Sequence, residues 1–459
     1  MDVRFKPLDR DQQYLLPPSL RDWLPEGDLA YFVVEVAEEL DLSEIHRHYM
    51  VAVDPKTGEE RPKAASGQPA FHPKMMVAVL LYGYANGQTS SRRIARLCER
   101  DVGYRIVAAN QQPDFRTISE FRRIHLKALA GLFVQVLHLA REAGLVKLGH
   151  VALDGTKVKA NASKHKAMSY EWLIKREAEY AKQVADLLRR AEEADVAEDD
   201  LYGADLRGDE LPEELRFREK RLKRIREAKR ALEEAAREKA RAEGKLDEND
   251  QPKPRKAGPS PKTPPGTPKP KDQYNFTDPE SHIMKMSHGG FDQAYNCQAA
   301  VDGEAQVIVA RDATAEPNDK KQLTPLLDQV EENLSALPKK ASADSGYYSE
   351  ENVRDVRARG IDDYICPDRL KHGEMPPKVR GRPPQALSFI DRVRRKLWTK
   401  QGRATYKLRK QIAEPVFGQM KAGRGLRQFL LRGVEKVQGE WSLWCTGHNL
   451  RKLWLAGLS

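Results

Sequence analysis

Cysteine is scarce: the chain has four in 459 residues, Cys98, Cys297, Cys366 and Cys445. No two stand near each other, which excludes a C-x-x-C metal knuckle and a disulfide framework. A reducing, intracellular setting is expected. Long apolar runs are missing too. The longest, Met75 to Ala85, falls far short of the ~20 residues of a membrane span. The opening MDVRFKPLDRD is charged where a secretory signal needs an apolar stretch. Acid is outnumbered: 79 Lys and Arg against 68 Asp and Glu leave a formal net charge of +11. That surplus points to a polyanion, either nucleic acid or a membrane surface. The basic tracts have no amphipathic apolar partner, so membrane attachment is excluded and cytoplasmic localisation is expected.

What is present divides into five parts, consistent with two to four domains at roughly 100–200 residues each. Residues 1–145 read as helical. Leu29, Phe32, Val33, Val36 and Leu40 recur at helical spacing. Pro73 opens a second helix that stops at Asn86-Gly87, and Thr89 or Ser90 can cap the next. Thr117-Ile-Ser-Glu120 is a capping-box pattern that predicts a helix carrying Phe121, Arg122 and Arg123. Short helices, tight turns and a basic last helix resemble a helix-turn-helix module, which makes Arg122 and Arg123 DNA-contact candidates. Residues 146–169 hold a buried strand with Asp154 expected at its C-terminal end. Residues 170–249 are heavily charged. Ile174, Ala178, Ala181, Ala185 and Leu188, then Leu215, Leu222, Ile225 and Leu232, predict an antiparallel helical hairpin, with Gly203, Gly208 and Pro212 between the runs. It reads as a spacer, with a DNA-clamping or dimerising arm as the other possibility. Residues 250–272 form a basic linker: 252–271 has eight prolines, six Lys or Arg and no acid, and is expected to be extended and disordered.

Residues 273–459 alternate between strand and helix. Two strands meet at Asp302-Gly303, a hairpin signal. Helix over 319–334, strand over 340–343, helix over 350–359, strand over 362–366 and helix over 405–456 follow. The order β, insertion, β, β, α, β, α, β, α is that of a ribonuclease-H-like fold, an α+β or α/β mixed sheet flanked by helices. In that topology the strands ending at Asp154 and Asp344 lie side by side. Two carboxylates that close repel unless a cation separates them. Mg²⁺ takes one or two carboxylates with waters and phosphate oxygens. Glu414, placed at a helix entrance or kink by Pro415, is the candidate third acid of a two-metal site.

These residues resemble a known family. Asp154-Gly-Thr156, Tyr295-Asn-Cys-Gln298, Ala343-Asp-Ser-Gly-Tyr347, Glu414-Pro-Val-Phe-Gly418 with Lys421, Phe429-Leu-Leu-Arg-Gly433 and His448-Asn-Leu450 look like the signature blocks of DDE transposases of bacterial insertion sequences, in the group usually called IS eleven-eighty-two. Phe71-His-Pro-Lys74 and Pro113-Asp-Phe-Arg116 are similar to that group's N-terminal helical domain. The resemblance implies metal-dependent cleavage and strand transfer of double-stranded DNA, at element ends and target, with two Mg²⁺ or Mn²⁺ ions on Asp154, Asp344 and Glu414. It implies no small-molecule substrate, a homodimer on DNA, and a bacterial protein that is nucleoid-associated when on DNA. Tyr406, Arg409 and Lys421 match the Tyr, Arg and Lys that related enzymes carry around the glutamate. Four residues separate Arg409 from Glu414 where three are usual, and Lys410 restores that spacing.

Basic charge is concentrated just ahead of Glu414. Between Asp368 and Lys410 stand 14 Lys or Arg and three acids. Arg394, Arg395 and Lys396 are therefore expected to meet DNA phosphates. Two other readings compete: a domesticated, inactive DNA-binding descendant, which three intact acids argue against, and a coiled-coil assembly protein with incidental basic tracts.

Overall fold

A computed structural model describes residues 19–53, 59–62, 69–202, 213–253, 263–287, 289–368, 379, 381 and 387–457. The expected hairpin turn at Gly203, Gly208 and Pro212, the centre of the basic linker (254–262) and most of the basic segment's first half lie outside these residues, as does the side chain of Leu215. The chain forms two compact units. One comprises Met1–Val158 with Tyr295–Ser459, the other Lys159–Ala294.

The first unit opens with helices α1 (Leu29–Glu39) and α2 (Ser43–Met50), a small ribbon of β1 (Val51–Val53) and β2 (Glu60–Pro62), then α3 (Pro73–Ala85), α4 (Ser91–Arg100), α5 (Val102–Val107), α6 (Phe115–Ile124) and α7 (Leu126–Glu142). Local chemistry sets the starts. The Asp28 carboxylate accepts Ala30 N–H, and His72 accepts Lys74 N–H with Pro73 in the first turn. The helix expected from Thr117 begins earlier, at Phe115. Asp114 accepts Arg116 N–H and caps it, so the capping-box reading fails there.

Strand β3 (Val151–Lys159) leads into β4 (Ala167–Ser169), α8 (Tyr170–Tyr202), α9 (Glu213–Ala242), β5 (Gln273–Asn275) and β6 (His282–Lys285) of the second unit. The chain returns through β7 (Phe291–Asp302), β8 (Ile308–Thr314), α10 (Leu323–Leu334), β9 (Lys340–Ala343), α11 (Glu350–Ala358) and β10 (Asp362–Ile365). The sheet order is β10-β9-β3-β7, with β8 also on β7. β10, β9 and β3 run parallel; β7 and β8 are antiparallel. This is the expected ribonuclease-H-like mixed sheet flanked by helices. After α12 (Phe389–Trp398), the helix expected over 405–456 is broken into α13 (Lys400–Ile412), α14 (Glu414–Gly418) with one π-turn to Gly423, and α15 (Val434–Gly457). Pro415 lacks the N–H a continuous helix needs, which accounts for the first break near Glu414. α15 packs on α7, α3 and β8 and buries Trp441 and Trp444, as their apolar neighbours predict.

In the second unit α8 and α9 pack together, and β4 pairs with β5. Leu222, Ile225 and Leu232 line the seam as expected, but the α8 register is offset by one residue. Leu173 is fully buried and Tyr180 packs with it, whereas Ile174 and Leu188 are exposed. Leu173, Glu177, Tyr180, Val184 and Leu187 keep the 4-3 spacing of a heptad. The linker is not wholly extended either. Pro268 is buried, Pro270 and Asp272 carbonyls accept Glu171 and Tyr170 N–H, and Pro264 O accepts Thr267 N–H. Backbone hydrogen bonds fix a segment that has little apolar surface to bury.

Candidate active site

Parallel pairing of β3 with β9 matches Leu153 with Ala343, so Asp154 and Asp344 follow in register on neighbouring strands. Asp154 does not close its strand as expected. It is the fourth of nine residues in β3, because β7 flanks β3 on the side away from β9. Each acid accepts from a backbone N–H one or two residues further along the chain. Gly155 N–H donates to Asp154 Oδ1 at 2.9 Å, and Gly346 N–H donates to Asp344 Oδ1 at 2.8 Å. Burial pushes the Asp154 carboxyl up to about 6. Arg409 pulls it down, Asp344 pushes it up, and Glu414 adds a smaller push in the same direction.

Arg409 is the hub of this cluster. From α13 its Nη1 reaches Asp154 Oδ2 at 3.2 Å, and its Nη2 lies 3.7 Å from Glu414 Oε1. The residue is buried, and burial works against its charge, but Asp154, Tyr406, Asp344 and Glu414 outweigh that. Lys410, the alternative by spacing, is exposed. Tyr406, also on α13, lies with its ring 5.9 Å from the Arg409 guanidinium, and burial raises its hydroxyl. Lys421 donates to the Lys157 carbonyl at 2.7 Å, and burial depresses its ammonium. It holds the β3 backbone beyond Asp154.

The remaining DNA candidates lie elsewhere. Arg122 is buried and donates to Thr89 O at 2.7 Å, Ser91 Oγ at 3.2 Å and Tyr84 Oη at 3.3 Å. Its guanidinium is turned inward, away from any phosphate. Arg123 is exposed and pairs with Glu120. Arg394 pairs with Asp368 and Asp391, Lys396 with Asp362 and Asp363, and Arg395 donates to backbone carbonyls at 379 and 381.

Two families of sequence match the chain. A transposase DDE domain matches residues 261–450, and a transposase domain (DUF772) matches residues 18–123. The chain belongs to the DDE transposases. Asp344 and Glu414 of this transposase fall inside the DDE match, whereas Asp154 lies outside both matched spans, separated by the hairpin unit in sequence. No curated protein and no solved structure matches the chain. Among the described residues no helix is long and apolar enough to cross a membrane.

The donor set of Asp154, Asp344 and Glu414 is all carboxylate, which suits Mg²⁺ or Mn²⁺. Among the described residues, no three acidic, His or Cys side chains are drawn together tightly enough to hold an ion as they stand. The Arg409 guanidinium engages Asp154 and approaches Glu414. The acids thus fit a divalent ion in kind, and loading one requires Arg409 to yield.

Sequence reasoning missed two features of the transposase. Asp319, taken for a helix start, sits beside Gly155 and Gly346. In the N-terminal part, Ser90, Arg92, Phe115, Arg116, Glu120 and the buried Arg122 are among the residues that line a groove of about 480 Å³. Arg92 and Arg116 lie over the Phe115 ring at 5.0 and 5.6 Å. The run Ser90-Ser-Arg-Arg93, which caps and opens the amphipathic helix α4, was the available signal.

Proposed function

We propose that this transposase cuts the ends of a mobile element and joins them to target DNA, with Asp154, Asp344 and Glu414 holding two divalent ions. Mg²⁺ or Mn²⁺, when bound, would activate the attacking water or 3′-hydroxyl and stabilise the leaving oxygen. The chain's own groups prepare that chemistry. The parallel register brings Asp154 and Asp344 to one end of the sheet. Arg409 neutralises Asp154 and Glu414 until they are engaged, and can then face a DNA phosphate. Lys421 holds the β3 backbone in place. The observation that carries the reading is that one buried guanidinium meets both Asp154 and Glu414, residues 260 positions apart in sequence.

Duplex DNA is the partner this reading requires. Arg92 and Arg116 replace Arg122 as the N-terminal phosphate contacts, since both are exposed on the groove, whereas Arg122, which borders the same groove, is buried and spends its guanidinium on Thr89, Ser91 and Tyr84. A dimer on DNA follows from the need to hold two element ends.

The test is Asp344→Ala on the full chain. Cleavage of element-end duplex should fall at least about a thousandfold, a loss of ~4 kcal/mol of transition-state stabilisation, while duplex binding in a gel-shift assay stays unchanged. Equal cleavage by the variant overturns the metal-site reading. Duplex binding without metal-dependent cleavage in the unaltered chain favours the inactive descendant.

A further inference from the structure

A glycine follows each of the two acids where Asp319 stands, Gly155 inside β3 and Gly346 in the turn after β9. A Cβ on Gly155 would lie 2.7 Å from Gln298 Nε2 and 3.1 Å from Asp319 Oδ1. A Cβ on Gly346 would lie 2.9 Å from Asp319 Oδ2. Real Cβ contacts under 3.0 Å essentially never occur, so a side chain at 346 would displace Asp319 and one at 155 would displace Gln298 and crowd Asp319. Asp319 is held firmly. Its Oδ1 accepts from Asn296 Nδ2 at 2.6 Å and from Gln298 Nε2 at 2.7 Å, both fully buried residues of β7, with Lys157 Nζ at 3.5 Å. The chain of contacts continues. Gln298 Oε1 accepts from the Tyr347 hydroxyl, and Asn352 Nδ2 donates to the carbonyls of both Lys320 and Tyr347 at 2.7 Å. Trp441 Nε1 fixes the Gln298 carbonyl at 3.0 Å.

We propose that Asp319 is a positioning residue, a single carboxylate that locks the Asp154-Gly155 stretch of β3 and the Asp344-Ser-Gly346 turn together and so sets the separation of the two acids. This rests on the reading of Asp154 and Asp344 as metal-holding acids. It adds that their spacing is imposed from beneath by a fourth acid and a layer of buried amides. Groups that orient metal ligands typically cost 10–100-fold in metal affinity when removed.

The experiment is hydrogen–deuterium exchange by mass spectrometry on the full chain, without metal or DNA, comparing the unaltered protein with Asp319→Ala and Gly346→Ala. In Asp319→Ala, peptides covering 152–157 and 343–348 should both exchange roughly tenfold faster, with α7 and α15 unchanged. Gly346→Ala, which pushes Asp319 aside from one turn only, should also loosen the distant 152–157 stretch. Unchanged exchange at both stretches, a response confined to the one that was altered, or equal loosening of α7 and α15 each overturns the proposal. Should Asp319→Ala fail to fold, Gly346→Ala alone decides by the same criteria. A second readout is the Mn²⁺ concentration for half-maximal cleavage, expected to rise about 10–100-fold while duplex affinity stays within about twofold. Loss of cleavage in Asp344→Ala tests the metal reading, and exchange at the two stretches tests Asp319, so the two can fail separately.

Discussion

The two units of the transposase use charge in opposite ways. In the unit that carries Asp154, three titratable groups are buried and each meets several partners: Arg409 among the acids, Arg122 on a carbonyl and two hydroxyls, and Glu440 on the backbone N–H groups of Leu430 and Leu431. In the hairpin unit, pairs such as Lys175–Glu171 and Arg176–Glu179 sit in solvent along helix surfaces. Its apolar core is small, built on Leu173, Ile225 and Ala228. The lesson is that the same residue types carry chemistry in one unit and mainly solubility in the other, and burial separates the cases.

That contrast can be broken from the strong end. Arg409→Ala should leave Asp154 without its counter-charge and cost about 3 kcal/mol at pH 8, as removal of one member of a buried pair does. Urea unfolding would measure it, and added Mn²⁺ should recover part of the loss. A loss under about 0.5 kcal/mol would make the pair equivalent to a surface one. In the hairpin unit only the apolar seam should respond on that scale. Ile225→Ala should cost about 2–4 kcal/mol, read as faster hydrogen exchange across α8 and α9.

Glu440 sharpens the comparison through pH. Burial raises its carboxyl from an ordinary 4.5 to about 7, against the pull of the Leu431 and Leu430 N–H groups and of Arg122. A carboxyl with a raised folded pKa is held neutral by the fold, so its contribution declines as pH climbs from 4.5 to 7 and the cost is complete above 7. Glu440→Gln has no such slope. Relative to the unaltered chain it should gain stability between pH 5 and 8, by up to about 3 kcal/mol, seen in urea midpoints across that range. A constant difference would show that the Glu440 charge is already compensated. The smallest effect belongs to the hairpin surface: Arg226→Ala, which removes a 3.2 Å pair to Glu177, should change stability by less than about 1 kcal/mol, and added salt should erase even that.

Much of this architecture was legible along the chain. Alternation and turn residues placed β7, β8, β9 and β10 nearly to their ends, and Pro73 announced a helix start, because strand faces and first helical turns are encoded within a few residues. Asp344 and Glu414 stood out as acids beside a turn and a proline. The misses have a common cause. The α8 seam slipped by one residue because Ile174 and Leu173 are equally apolar and only α9 chooses between them. Arg122 read as a surface charge because nothing local shows that Tyr84, Thr89 and Ser91 enclose it. Asp319 read as a helix start because its partners Asn296 and Gln298 belong to another element.

The sequence by itself determined the element order, the helical hairpin, the excess of basic charge and which acids stand at the right places in a ribonuclease-H-like sheet. These follow from periodicity, capping and composition, all local properties. Only the tertiary structure decided that Arg409 rather than Lys410 meets the acids, that Arg122 is buried while Arg92 and Arg116 are exposed on the groove it borders, and that Asp319 lies against both Gly155 and Gly346. Those outcomes depend on which distant side chains share a buried volume. There, desolvation makes every charge find a partner, and no short window of sequence contains both.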